Sequence, residues 1–132
     1  MKSYDVHNLV GIAQSIAPVN TATAAVNGAT VDLRNYKNMG RVTAVACVGT
    51  MTEGTLTFSV EDSANGSDWA AMTPISGANK AYTTSNDAAT DAFADYRPDP
   101  ARPYIRIVTV ETVSVTTAVP FSAHFLLTPA TL

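Results

Sequence analysis

Residues 55–60 read Thr-Leu-Thr-Phe-Ser-Val, a strict alternation of polar and apolar side chains. Successive residues of a β-strand point to opposite faces of a sheet, so Leu56, Phe58 and Val60 would share one face. The run has the period of a strand and lacks that of a helix. It therefore predicts a half-buried β-strand. This strand is the first indication that the chain belongs to the all-β class of folds.

Further strand candidates lie on both sides of this run. Residues 42–48 are apolar on both faces, which is typical of a central strand. Residues 119–127 place Phe121, Ala123, Phe125 and Leu127 on one face and His124 on the other. Shorter candidates are 21–26, 29–33, 93–96 and 104–110, and Trp69 opens another. Thr and Val recur throughout, and such β-branched residues pack well on a pleated surface.

Turn signals separate the candidate strands. Asn27-Gly28 is a strong hairpin signal, and it predicts that the runs 21–26 and 29–33 pair with each other. Prolines cannot donate to a β-ladder, so the three that precede the run 104–110 are expected to end pairing there: Pro98, Pro100 and Pro103.

The pattern predicts about eight short strands at hairpin spacing, without the helix–strand alternation of a parallel sheet. We expect an all-β protein, an antiparallel β-sandwich or jelly-roll-like barrel with an N-terminal arm. Residues 1–17 would form the arm and residues 18–132 a single sandwich domain.

The arm allows two interpretations. Val6, Leu9, Val10, Ala13 and Ile16 fit a helical stripe, with Asp5 as a helix cap. The strand alternative uses Val10, Ile12 and Ile16, and Gly11 weakens the helix. In both cases we expect the end of the arm to become the first strand, closed by Pro18.

Charge is sparse in this chain of 132 residues: 14% of residues are charged and the formal net charge is -3. A slightly acidic chain lacks the electrostatic footprint of a nucleic-acid binder. Weakly charged surfaces suit close packing in a homo-oligomer, for which a dimer and a trimer both stay open. We expect no membrane span and no intrachain disulfide, because Cys47 is the single cysteine.

No motif points to an enzyme, and we expect no catalytic residues, no metal site and no cofactor. The two histidines, His7 and His124, do not have zinc-ligand spacing. Four aspartates recur every four residues, which we interpret as solvated loop residues, with a calcium site as the alternative: Asp87, Asp91, Asp95 and Asp99.

Two aromatic residues are candidates for contact with a partner. Trp69 follows a polar turn, where it would anchor the core or an interface or, alternatively, stack on a sugar ring. Tyr82 lies in the Gly-, Asn-, Ser- and Thr-rich stretch 74–91, which predicts a long loop or a weak edge hairpin.

Turn-and-strand stretches covering about residues 20–110 resemble head decoration (cement) proteins of tailed bacteriophages, which have jelly-roll-like folds. The stretches are Asn27-Gly28-Ala29-Thr30-Val31-Asp32-Leu33, Tyr36, the run 42–49, the run 54–63, Gly66-Ser67-Asp68-Trp69 and Arg102-Pro103-Tyr104-Ile105-Arg106-Ile107. The resemblance implies a virion structural protein, made in the host cytoplasm, that binds the outer capsid surface and bridges major-capsid subunits.

The residues expected to contact that partner are Val6, Leu9, Val10, Ile12, Trp69 and Tyr82. Two alternatives stay open. Phage neck and tail components have a similar pattern of turns and strands. A carbohydrate-binding β-sandwich module is the other alternative, and it could use Trp69 with Tyr82 or Tyr96.

Overall fold

The protein is all-β and is described here from a computed structural model, for residues 11–21, 26–36, 39–51, 53–83, 89–113 and 119–129. Ten strands follow one another: β1 Gly11–Thr21, β2 Val31–Asp32, β3 Met39–Val48, β4 Thr55–Ser63, β5 Trp69–Ala71, β6 Ser76–Gly77, β7 Lys80–Thr83, β8 Ala89–Tyr96, β9 Tyr104–Val113 and β10 Val119–Pro129. One short 3₁₀ turn, Leu33–Asn35, follows β2.

The strands form two antiparallel sheets that pack as a sandwich. Sheet A has the order β1-β10-β3-β8-β6. Sheet B has the order β2-β9-β4-β5, and β7 pairs with β4 beside β5. The described pairing closes no barrel, so the sandwich alternative of the sequence prediction is confirmed.

The chain order of the strands is that of one long hairpin rolled into a sandwich. At its tip, β4 pairs with β5 and β7. Behind the tip, β3 pairs with β8, β2 with β9 and β1 with β10. Rolling adds the ladders β10–β3 and β4–β9, which join distant parts of the hairpin. Nesting of this kind is typical of double-sheet jelly rolls.

The core lies between the sheets and is centred on Phe58 of β4, which is fully buried. Its ring makes edge contacts with Tyr82 at 5.7 Å and Phe121 at 5.9 Å between centroids. Leu56 and Val60 are buried beside it, as the alternation in residues 55–60 predicted. Aromatic pairs of this geometry add to the stability that apolar burial supplies.

Sheet A also follows its sequence pattern. Strand β3 lies between β10 and β8, so the prediction of a central strand is confirmed. On β10 the residues placed on one face, Phe121, Ala123, Phe125 and Leu127, are all buried, as is Val119 at the start of the strand. Residues 97–103, which hold the three prolines, separate β8 from β9.

One side of the sandwich is closed by a seam of hydrogen bonds between the sheets. Strand β1 is irregular around Ser15, which is buried at 3% exposure. The Ser15 hydroxyl accepts the Ile107 N–H of sheet B at 2.9 Å and donates to the Ala29 carbonyl at 3.0 Å. The Ala29 N–H in turn donates to the Ser15 carbonyl at 2.6 Å.

The hairpin predicted at Asn27-Gly28 is wrong, because this pair belongs to the seam. Asn27 bridges Val108 of β9, and the Gly28 N–H donates to the Ile107 carbonyl at 2.8 Å. A Cβ on Gly28 would lie 2.4 Å from both that carbonyl and the Ser15 hydroxyl. Glycine is required here for close approach of the backbones and not for a tight turn.

The opposite side is closed by the chain itself. It leaves β5 in sheet B, forms β6 on sheet A and returns to sheet B as β7. The Ile75 N–H donates to the Asp95 carbonyl at 2.8 Å as the chain crosses. Residues 74–83 of the stretch interpreted as a loop or edge hairpin therefore form a strap that holds the two sheets together.

The end of the predicted arm lies in a strand. Strand β1 begins at Gly11 and continues past the expected domain boundary at residue 17 to Thr21. It forms one edge of sheet A, paired with β10. The helical alternative does not apply from Gly11 onward, and residues 1–10 lie outside the described part of the chain.

Candidate functional site

The outer face of sheet A is the surface that points away from sheet B. Alternation with the buried residues and the strand pairing assign to it the charged pair Arg41 and Asp95 at one end and, beside this pair, ten side chains that are not Lys, Arg, Asp or Glu. They are Ile12 and Gln14 of β1, Ser122, His124 and Leu126 of β10, Thr43, Val45 and Cys47 of β3, and Thr90 and Ala92 of β8. We call this set face A.

Face A combines a flat centre with an exposed apolar edge. At the centre, His124 lies between Gln14 and Val45 in the strand register. Val45 is 5% exposed although it points outward, whereas Ile12 on the edge strand is 67% exposed. Single exposed apolar side chains are common on protein surfaces, and Val110 on the outer side of sheet B is likewise 50% exposed, so Ile12 marks a contact region only together with its uncharged neighbours.

Charge appears on the same surface, directly beside face A at one end. Arg41 lies 3.8 Å from Asp95, which also accepts a 2.6 Å hydrogen bond from the Thr43 hydroxyl. Thr43 thus links face A to this charged pair, and face A itself is neutral.

A shallow cavity of about 420 Å³ opens at the other end of face A. Pro18 and Pro120 line it together with Cys47, whose thiol is free and half-buried. Gly49 is needed at this point, because a Cβ there would lie 2.4 Å from the Pro120 ring. The cavity is an apolar recess continuous with the neutral face.

The outer face of sheet B is built in the opposite way. We call it face B and define it by Asp32, Glu61, Trp69, Tyr104, Arg106 and the adjoining Arg34. The Arg106 guanidinium lies 4.2 Å from the centre of the Trp69 ring and bonds the Glu61 carboxylate at 2.8 Å. Trp69 is half-buried and therefore anchors a surface network, not the core.

A second cation–ring pair continues this network. The Arg34 guanidinium lies 5.0 Å from the Tyr104 ring centre and donates to the Tyr104 hydroxyl at 2.6 Å. It also pairs with Asp32 at 2.8 Å, and this hydrogen bond holds the pKa of the Asp32 carboxyl below its usual value. In the same way the carboxylate raises the pKa of Arg34.

The pairing of cations extends beyond face B. Arg102 donates to the Asp62 carboxylate at 2.7 Å and to the Asp62 carbonyl at 2.9 Å. Four arginines, Arg34, Arg41, Arg102 and Arg106, thus each have a carboxylate partner. Because each positive charge is largely compensated by its carboxylate partner, these arginines produce only a weak positive potential for attracting a polyanion.

The predicted contact residues are dispersed over the fold. Val6, Leu9 and Val10 lie outside the described residues. Ile12 lies on face A and Trp69 on face B, on opposite sides of the sandwich. The structure therefore does not bring the predicted set together into one site.

The assignment of Tyr82 as a contact residue is wrong for this fold. Its side chain is 1% exposed, and its hydroxyl donates to the Asp91 carboxylate at 2.7 Å. Burial, reinforced by that hydrogen bond, raises the pKa of Tyr82. Tyr96 is also fully buried, which raises its pKa to about 12. Neither ring can join Trp69 in stacking on a sugar.

The acidic residues show no metal-binding arrangement within the described ranges, where no three His, Cys, Asp or Glu side chains are grouped to hold an ion. Asp91 and Asp95 lie in β8 and accept hydrogen bonds from Tyr82 and Thr43, so their interpretation as loop residues is wrong. Asp87 lies outside the described residues. The described chain also contains no helix long and apolar enough to cross a bilayer.

Face A could not be recognised as a unit from the sequence. Its members come from four strands that are distant along the chain, and the pairing order brings them together. One signal was present, since the outward position of His124 follows from the alternation in β10.

Comparison with known proteins adds no family assignment: no family model matches the chain, and no curated protein matches it significantly. The class that the structure defines is a two-sheet β-sandwich with jelly-roll connectivity.

Proposed function

We propose that this chain is a non-enzymatic structural protein of a tailed-bacteriophage particle. In this proposal it is made in the host cytoplasm, binds the outer surface of the assembled capsid and bridges neighbouring major-capsid subunits. It acts as a homo-oligomer, a dimer or a trimer. The phage assignment rests on the resemblance of the strand-and-turn stretches, and the contact surface rests on the fold.

The observation that carries the contact surface is the group of ten adjacent uncharged side chains that form face A, bordered at one end by Arg41 and Asp95. The central parts of protein interfaces are depleted of charged residues, because a charge that loses water on binding needs a new partner. Ten outward side chains without one charge, next to an apolar recess, meet that requirement. Face B, with its paired charges, is suited to remain in water.

The edge of face A leads toward the N-terminal residues. Ile12 lies one residue after the start of β1, so Val6, Leu9 and Val10 precede it closely in the chain. We therefore propose that the capsid contact begins on this segment and continues onto face A through Ile12. Each contact is modest, and its repetition at every lattice site would make the shell resistant to internal pressure.

The test is binding of the purified protein to expanded capsids that lack decoration. We expect saturable binding, with a copy number that is a multiple of the lattice sites, and capsids that withstand greater heat or chelation stress. Absence of binding to mature shells would overturn the proposal. A few copies per particle would instead favour the neck or tail alternative.

The carbohydrate alternative has its own outcome in the same study. Glycan-array binding that is lost on Trp69→Ala, with the fold retained, would favour it over the capsid proposal. Since Arg106 already stacks on the Trp69 ring, we expect no glycan binding.

A further inference from the structure

The chain contains two Asn-Gly dipeptides, Asn27-Gly28 and Asn65-Gly66. In such a pair the glycine nitrogen can attack the asparagine side-chain carbonyl and close a five-membered imide ring. The absence of a Cβ on glycine removes the hindrance that slows this reaction at other residues. The fold places the two dipeptides in very different surroundings.

The turn between β4 and β5 holds the groups of Asn65-Gly66 around one hydroxyl. The Gly66 N–H donates to the Ser63 hydroxyl oxygen at 2.9 Å. The same hydroxyl donates its own proton to Asn65 Oδ1 at 3.1 Å. Ser63 is fully buried, which fixes its hydroxyl in place, whereas Asn65 is exposed.

The carbonyl oxygen of Asn65 is surrounded by further donors. The backbone N–H groups of Ser67 and Asp68 both donate to Asn65 Oδ1 at 2.8 Å. Donors aimed at an oxygen that gains negative charge during attack lower the barrier for the attack. The departing nitrogen, Asn65 Nδ2, donates to the Asp68 carboxylate at 2.8 Å.

We propose that Asn65-Gly66 is a self-modification site, at which the folded protein converts Asn65 through a cyclic imide into aspartate and isoaspartate. The Gly66 nitrogen forms a bond to Asn65 Cγ while its proton passes to Ser63, which passes its own proton to Oδ1. The Cγ–Nδ2 bond then breaks, the Oδ1 proton returns through Ser63 to the nitrogen, and ammonia leaves. Water opens the imide at either carbonyl.

Asn27-Gly28 lacks this arrangement. Its Gly28 N–H donates to the Ile107 carbonyl at 2.8 Å, within the seam that joins the sheets. Asn27 is held in a β-bridge with Val108. Attack there would require the seam to open, because the nucleophile is engaged by a backbone carbonyl that has no proton to pass on. The fold thus selects one of two identical dipeptides.

Conversion changes the turn in a defined way. An amide that donates to Asp68 becomes a carboxylate that repels it, and isoaspartate adds a methylene to the backbone. The turn directly precedes Trp69, so the modified form carries an additional negative charge next to face B. Such a change accumulates with the age of a protein that is not replaced.

The decisive experiment uses the unmodified sequence and compares folded with urea-unfolded protein in mildly alkaline buffer. Peptide mapping by mass spectrometry follows the gain of one mass unit at each asparagine, and the isoaspartate fraction marks passage through the imide, because direct hydrolysis of the amide gives aspartate alone. We expect the folded protein to convert Asn65 faster than the unfolded protein does, and Asn27 more slowly. Equal or slower conversion of Asn65 in the folded state would overturn the proposal.

A variant tests the relay itself. Ser63→Ala should slow conversion of Asn65 roughly tenfold, since proton transfer loses its carrier. Ser59→Ala on the same strand serves as the matched control and should leave the rate unchanged. Thermal unfolding confirms that both variants fold at the temperature used. An unchanged rate in folded Ser63→Ala would remove Ser63 from the mechanism.

Discussion

The two outer faces of this sandwich cover the same core and differ in how they treat charge. On face B, Arg34 and Arg106 each stack on a ring and pair with a carboxylate. On the outer side of sheet A, the ten side chains of face A carry none of the four charged residue types, and the pair Arg41–Asp95 lies at one end of them. Both faces consist of antiparallel strands with local register shifts, so the difference lies in the side chains and not in the kind of backbone.

The difference in charge indicates which face is suited to remain exposed to water. A charge that is paired at the surface retains part of its hydration and contributes modestly to stability. A surface without charged side chains avoids the largest cost of desolvation, although its polar side chains need hydrogen-bond partners when it is covered. We therefore expect face B to remain exposed to water and face A to bind the partner. Substitutions at the seam, on face A and on face B test this assignment.

The largest effect is expected at the seam, because both faces exist only while the two sheets hold their positions. Gly28→Ala places a methyl group 2.4 Å from the Ile107 carbonyl and from the Ser15 hydroxyl. We expect the free energy of unfolding to fall by about 3 kcal/mol. Urea unfolding followed by the fluorescence of Trp69 measures it.

Gly66→Ala is the matched control for this substitution. Gly66 has a φ of 78°, and a Cβ there meets nothing within 4 Å. Its cost is limited to the left-handed backbone, about 1 kcal/mol. Equal losses for the two variants would show that the seam is not the critical closure of the sandwich.

The next effect separates the two faces directly. Ala92 on face A and Ala81 on the outer side of β7 are both exposed alanines in strands. Ala92→Arg would bury an unpaired charge against the capsid, and we expect binding to weaken by about 2 kcal/mol, roughly thirtyfold. Ala81→Arg should leave binding unchanged. Titration of undecorated capsids with each variant measures both affinities.

Stability measurements accompany this comparison, since both variants should unfold within about 0.5 kcal/mol of the parent chain. If Ala81→Arg weakened binding and Ala92→Arg did not, the partner would lie on face B. The assignment of the two faces would then be reversed.

Local alternation allowed the class and the best strands to be predicted. Leu56, Phe58 and Val60 are buried as their spacing required, because one sheet face meets the core along the whole strand. The hairpin predicted at Asn27-Gly28 was wrong for a physical reason. Its glycine serves a contact with Ile107, which lies far away in the chain, and no local signal distinguishes that contact from a turn.

The candidate site was less predictable than the fold. Ile12 was named as a contact residue, and its exposure depends on its lying on the outer side of an edge strand. Tyr82 was misassigned because its polar flanking residues suggested a loop, whereas β7 turns the ring inward against Phe58. A face made of four strands needs the pairing order, which single-strand patterns do not contain.

The smallest effect concerns the network on face B. The Arg106 side chain is 18% exposed, whereas that of Arg34 is 63% exposed, and each lies over a ring beside a carboxylate. Arg106→Met should lower the free energy of unfolding by about 1 kcal/mol, because a cation–ring contact is stronger when partly desolvated. Urea titration gives the loss, and the Trp69 emission should shift to the red as its ring is uncovered.

Arg34→Met removes the same kinds of contact at a position that water already reaches, so we expect a smaller loss of stability and no shift of the Trp69 emission. Capsid binding should be unchanged in both variants, since neither residue belongs to face A. A loss of binding in Arg106→Met with an intact fold would mean that face B also contacts the partner. The neutrality of face A would then no longer distinguish the two surfaces.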